Sequence, residues 1–198
     1  MNLSATLSHH FNLIQSTAYF IRKHFLVVVS LSLIAAFGRV TQLGGFGAIS
    51  TWLHIVLEVV IESARILLCI YVLGFANVQN GLLRIKRFFT SKGNRKQQWG
   101  TAVQKFKQQW ISLGFNLILF MVIAWVFNYL IDQAAYETCF YLKLKEGGIL
   151  VSSASEWTIL LFLKNLSVIP FTLIFETLLL LWLTNKFDRL QHNAQPGY

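Results

Sequence analysis

Proline, cysteine and acidic side chains are all scarce in this chain of 198 residues. With only two prolines, long stretches contain nothing that would interrupt a helix, and the glycines group in short connections such as 44–47 and 147–148. Apolar residues come in blocks and do not alternate with polar ones, which argues against a transmembrane β-barrel. An all-α protein is therefore expected.

The two cysteines, Cys69 and Cys139, form no CxxC pair, which argues against a membrane thiol oxidoreductase. A bis-imidazole haem would need a second histidine beside His54 within the apolar blocks. His54, Glu58 and Glu62 would spread over about 12 Å of helix, too far for one metal ion. No catalytic residue, metal site or cofactor is predicted, and we expect a non-enzymatic protein.

What the chain has in abundance is apolar surface. It is 55% hydrophobic and 15% aromatic, with a mean hydropathy of +0.55, which is too apolar for one soluble core. Four blocks are long enough to cross a bilayer of about 30 Å. They cover residues 25–43, 51–76, 110–131 and 157–184. Because indole rings favour the headgroup layer, Trp52, Trp110, Trp157 and Trp182 at the block ends support a polytopic protein with four transmembrane helices.

Lysine and arginine set the expected orientation. With a cytoplasmic N-terminus, twelve basic residues fall in inner segments and three in outer ones, which predicts that both termini are cytoplasmic. We expect no cleaved signal peptide and an integral location in the bacterial inner membrane or an equivalent one. The predicted organisation is an amphipathic helix over 1–23, transmembrane helices 1 and 2 over 24–76, a basic cytoplasmic helical loop over 77–109, transmembrane helices 3 and 4 over 110–184 with an outer loop at 132–156, and a cytoplasmic tail over 185–198.

The amphipathic pattern of 1–23 fits either a helix lying in the headgroup layer or a helix packed on a neighbouring subunit. The loop over 77–109 has eight basic residues and no acidic one. These are Arg84, Lys86, Arg87, Lys92, Arg95, Lys96, Lys105 and Lys107. Two helices, 82–90 and 95–109, are expected around a turn at 91–94. Anionic lipid headgroups are the expected partner, ahead of an acidic protein or a nucleic acid.

A polar stripe interrupts the second block. His54, Glu58, Glu62 and Arg65 are spaced by four, four and three residues, so a helix places them on one face. Charged side chains at membrane depth rarely face lipid. The stripe is therefore expected to face protein or water.

Three charged residues in other blocks are candidate ion-pair partners for the stripe: Arg39, Lys164 and Glu176. Equal depth predicts that Glu58 pairs with Lys164, with Arg39 as a competitor, and that Arg65 is drawn toward Glu176. If Arg39 lies outside, one buried carboxylate is left over, and Glu62 at mid-membrane would carry a proton or a cation. A closed salt-bridge network, an ion or proton pathway, and an enzyme site are the three interpretations.

These observations favour a non-enzymatic membrane subunit of an oligomeric assembly, either of copies of itself or with other membrane subunits, that conducts or transports an ion or small solute. One alternative is a scaffold or regulatory subunit that docks a soluble partner on the basic loop. The other is a membrane-bound lipid-modifying enzyme.

Overall fold

A computed structural model describes residues 12–90, 92–138 and 140–184 of the chain. Within these residues, 84% are helical and no β-strand occurs, so the all-α prediction is confirmed. The helices are α1 (Asn12–Lys23), α2 (Phe25–Gln42), α3 (Thr51–Leu73), α4 (Val78–Thr90), α5 (Lys92–Gln108), α6 (Trp110–Tyr136), α7 (Phe140–Glu146), α8 (Glu156–Leu166) and α9 (Val168–Leu183).

Three segments of the described chain are long and apolar enough to cross a membrane: Phe25–Gln42, Trp110–Tyr136 and Glu156–Leu183. Helix α3 has 23 residues, which is sufficient length, but its three charged side chains, Glu58, Glu62 and Arg65, lie close together near its middle. The predicted amphipathic helix is described from Asn12 onward, as α1. Residues 1–11, the tail 185–198 and Cys139 lie outside the described residues.

The fourth apolar block forms two helices, and Pro170 in the sequence predicts an interruption near the middle of this block. Helix α8 ends at Leu166, Ser167 separates it from α9, and Pro170 is the third residue of α9. Proline has no backbone N–H to donate, so it is tolerated in the first turn of a helix and disfavoured in an uninterrupted one. A helix start just before Pro170 satisfies this constraint.

A tight turn closes α3. The helix ends at Leu73, three residues before the predicted end, and Phe75 and Ala76 follow with positive φ angles of 51° and 68°. A Cβ atom on Gly74 would lie 1.8 Å from the Asn77 carbonyl oxygen, and one on Gly81 would lie 2.1 Å from the Ile70 carbonyl oxygen. Only glycine fits at these two positions.

Helix α5 starts earlier than the sequence suggests, because Gly93 and Asn94 are helical where a turn is predicted. The third apolar block likewise extends beyond its predicted end, since α6 continues to Tyr136. No proline stops either helix.

The chain divides into two compact units. In the unit formed by His24–Leu68 and Val122–Leu173, helix α2 packs on α8, and Val40, Leu150 and Ile159 form an apolar cluster. Helix α6 exposes Trp125, at 67%, in this unit. The other unit contains residues 12–23, 69–121 and 174–184. Its α6 segment exposes Ile118 and Met121, as expected of a surface that lipid covers.

Candidate functional site

Arg39 and Glu58 form the centre of the polar site. One Arg39 nitrogen, Nη1, lies 3.0 Å from Glu58 Oε2, and the other, Nη2, lies 3.5 Å from Oε1. This is the bidentate geometry that a planar guanidinium offers to a carboxylate. Gln42 completes the group: its side-chain amide donates to Glu58 Oε2 at 2.9 Å, and its carbonyl oxygen accepts from Arg39 at 2.8 Å.

Glu62 and Arg65 form a second pair one turn further along α3. Arg65 Nη1 lies 2.5 Å from Glu62 Oε1. Arg65 Nη2 donates to Asn165 Oδ1 on α8 at 2.7 Å, which ties α3 to the fourth apolar block. Arg39 Nη2 lies 3.9 Å from Glu62 Oε1 and so joins the two pairs. We call Arg39, Glu58, Glu62 and Arg65 the ion network.

The ion network contains two arginines and two glutamates, so its formal charge is zero. Its exposure is uneven. The Glu58 and Glu62 side chains are 44% and 46% exposed, whereas both arginines are 21% exposed. The carboxylates therefore give the open face of α3 a negative character, while the guanidinium groups lie closer to the protein.

The prediction that Glu58 pairs with Lys164 is wrong. Glu58 forms its salt bridge with Arg39, and Lys164 Nζ lies 3.8 Å from Asp132 Oδ1 on α6. The expectation that Glu62 lacks a cation is also wrong, because Arg65 contacts Glu62 and Asn165. With Arg39 inside the network, no carboxylate of the network is left over, and Arg65 pairs with Glu62 where the sequence predicts attraction to Glu176. Glu176 is exposed on α9.

His54 contributes its backbone, since its carbonyl oxygen accepts a hydrogen bond from Gln42 at 2.9 Å. The residue is exposed and lines an open cavity of about 450 Å³, together with Gln42, Gly44 and Ser50. Gln42 thus contacts both this cavity and Glu58. The cavity reaches the end of the ion network that lies nearest the α2–α3 connection.

Sequence reasoning missed Gln42 and Asp132. Gln42 follows Arg39 by three residues, a spacing that puts both on one helical face, so it could have been found. The third apolar block ends at Ile131, which predicts that Asp132 lies in the outer loop, yet α6 continues for five residues beyond Ile131. The Asp132 carboxylate is therefore available to Lys164.

The basic residues of α4 and α5 differ in surroundings. Lys86, Arg87, Lys96 and Lys107 are exposed. Lys105 is 8% exposed: its Nζ donates to the Trp182 carbonyl oxygen at 2.9 Å and lies 4.5 Å from the Trp182 ring. Lys105 thus holds α5 to the end of α9 and is not available to a headgroup. The side chains of Lys92 and Arg95 lie outside the described set.

In the part of the chain that the structure describes, no three histidine, cysteine or acidic side chains are grouped so that they could hold a metal ion. Comparison with protein-family models, with curated proteins and with solved structures finds no match to this chain.

Proposed function

We propose that this protein is a non-enzymatic integral membrane subunit, crossing the bilayer four times, and that copies of it assemble around a path for a cation or small cationic solute. The observation that carries the proposal is the half-exposed pair of carboxylates, Glu58 and Glu62, on α3, the helix that the proposal makes the fourth span. Such groups rarely face lipid.

The fourth span would be α3. Its 23 residues would extend about 34 Å at 1.5 Å per residue, which is enough to cross the hydrocarbon core. The charge of α3 is balanced with the help of α2, because Arg39 on α2 pairs with Glu58 and Arg65 on α3 pairs with Glu62. Pairing lowers the cost of placing these side chains in the membrane. Four spans would put both termini, α4 and α5 in the cytoplasm.

This topology is tested by cysteine labelling in intact cells, starting from a Cys139→Ser background. We expect a membrane-impermeant maleimide to label Ala48→Cys but not Gly93→Cys, because the twelve inner basic residues hold 77–109 inside. Both sites are exposed, and a Cβ on Gly93 meets nothing within 4 Å. Permeabilised cells, in which both should react, provide the control. Labelling of Gly93→Cys in sealed cells would refute the orientation.

The negative character of the open face indicates which solute the path would accept. In a ring of copies, the Glu58 and Glu62 side chains of each copy would face those of the next. Like charges at close range repel, so the arrangement would be stable only with water and a counter-cation between them. The open cavity beside His54 and Gln42 would be the entrance to this path.

Purified protein in lipid tests the proposal directly. In nanodiscs we expect a mass that is a multiple of 22.7 kDa, and in liposomes a cation flux well above that of protein-free vesicles. An anion gradient of the same size is the control and should give no comparable flux. A monomeric mass together with no cation flux would refute the proposal that copies of the protein assemble around a path along the open face of α3.

A second candidate is a docking subunit. The exposed side chains Lys86, Arg87, Lys96 and Lys107 on α4 and α5 could bind an acidic soluble partner. A partner captured by the wild-type protein, and lost when these four residues are replaced by glutamine, would favour docking over transport.

A further inference from the structure

A cavity of about 250 Å³ lies in the unit that contains α4 and α5. Its wall is mostly apolar and includes Leu73 at the end of α3, Ile85 and Phe88 on α4, and Leu180 on α9. Arg84 is the only cationic side chain in the wall as described. The cavity is thus a hydrophobic space with one guanidinium group at its edge.

Arg84 has a fixed position. Its Nη1 donates to the Leu73 carbonyl oxygen at 2.6 Å, and its guanidinium lies 5.4 Å from the centre of the Phe75 ring. Partial burial, together with the neighbouring Arg87, lowers the pKa of Arg84. No acidic residue occurs between 77 and 109, and among the described residues no carboxylate pairs with Arg84. A guanidinium in this setting favours an anion.

We propose that this cavity binds one anionic glycerophospholipid, with its phosphate on Arg84 and part of an acyl chain against the apolar wall. Arginine recognises phosphate through paired N–H donors, and the wall suits a hydrocarbon chain better than a soluble phosphate ester. A defined lipid site differs from diffuse attraction to anionic headgroups, which would depend only on the number of basic residues.

The surroundings of the cavity fit a position at the membrane surface. It lies where α3 ends and where α9 approaches its end, at Leu73 and Leu180, and the ends of membrane-spanning helices meet the headgroup layer. Phe89, which also lines the cavity, is 69% exposed, as is common for aromatic anchors in that layer. The exposed Lys86 and Arg87 add positive charge nearby.

Native mass spectrometry of the full-length protein with added lipid tests the site. The two lipids are dioleoyl phosphatidylglycerol and dioleoyl phosphatidylcholine, which share their chains and differ in headgroup charge. We expect the wild-type protein to retain one phosphatidylglycerol in preference to phosphatidylcholine, and Arg84→Gln to weaken this binding about tenfold or more. Lys86→Gln, with the same loss of charge on the same helix, should weaken it less than about threefold.

A second variant separates the cavity from the charge. Leu180 is 59% exposed, so Leu180→Trp should fold, occupy the cavity and abolish the preference without changing the net charge. The proposed site would be refuted, in favour of diffuse attraction, if Arg84→Gln and Lys86→Gln weakened phosphatidylglycerol binding equally. A Leu180→Trp variant that kept the headgroup preference would refute it as well. If the wild-type protein shows no headgroup preference, the proposal is wrong. Competition by inorganic phosphate at equal concentration would also contradict a lipid ligand.

Discussion

Arg39→Met is expected to lower the free energy of unfolding by about 2–4 kcal/mol, the largest loss of any single substitution in the ion network. The reason is that the Glu58 carboxylate would lose both hydrogen bonds from the guanidinium and would have no cation in the span that we propose for α3. Arg39 also contacts Gln42 and Glu62, so no other network residue touches as many partners. Reversible unfolding of the purified protein in mixed micelles measures this loss.

A double-mutant cycle identifies the partner. Adding Glu58→Gln to Arg39→Met should recover part of the stability, because neutralising both groups costs less than breaking one pair. Lys164→Met is the matched control. Because Lys164 pairs with Asp132, the effects of Lys164→Met and Glu58→Gln on the free energy of unfolding should be additive. Additivity for Arg39 and Glu58, or coupling for Lys164 and Glu58, would disprove the pairing.

Glu62→Gln is expected to reduce cation flux at least tenfold while leaving expression and assembly nearly intact. Glutamine has the shape of a protonated glutamate and can still accept a hydrogen bond from Arg65, so this contact persists without the charge of the ion pair. What is lost is one of the two negative charges on the open face. Flux into liposomes that contain equal amounts of each protein is the measurement.

Glu176→Gln provides the matched control, because it makes the same chemical change at an exposed carboxylate outside the ion network. Its flux should equal that of the wild-type protein. Glu62→Leu should be tolerated less well than Glu62→Gln, since leucine gives Arg65 no acceptor. If Glu62→Gln unfolds the protein as severely as Arg39→Met does, Glu62 is a structural ion-pair partner and the ion network is closed to solutes.

The helices were predictable because their signals are local. Trp52, Trp110 and Trp157 each lie within one turn of a helix start, and the stripe from His54 to Arg65 lies on one helix, as its spacing predicts. Pro170 indicated the interruption of the fourth block, although the break itself is at Ser167. Composition and spacing contain this information without any tertiary contact.

The pairing of charges could not be predicted in the same way. Counting residues along a straight helix gives the depth of a side chain but not the direction in which it points around the helix axis. Depth alone pairs Lys164 with Glu58, yet the Lys164 side chain lies beside Asp132 on α6. Arg39 could reach Glu58 because the connection between α2 and α3 is short and brings the end of one helix beside the other.

The short separation between Arg39 and Glu58 also bears on how the chain enters a membrane. These two residues are 19 positions apart, so their pair can form within the α2–α3 hairpin before α6 or α8 has been synthesised. A helix with three charged side chains inserts poorly into a membrane by itself. A hairpin that already contains the bidentate pair brings less uncompensated charge into the membrane. The first half of the protein would thus be able to enter the translocon as one unit. Arg65, whose partner Asn165 is 100 residues away, would complete its contacts only when the last span arrives.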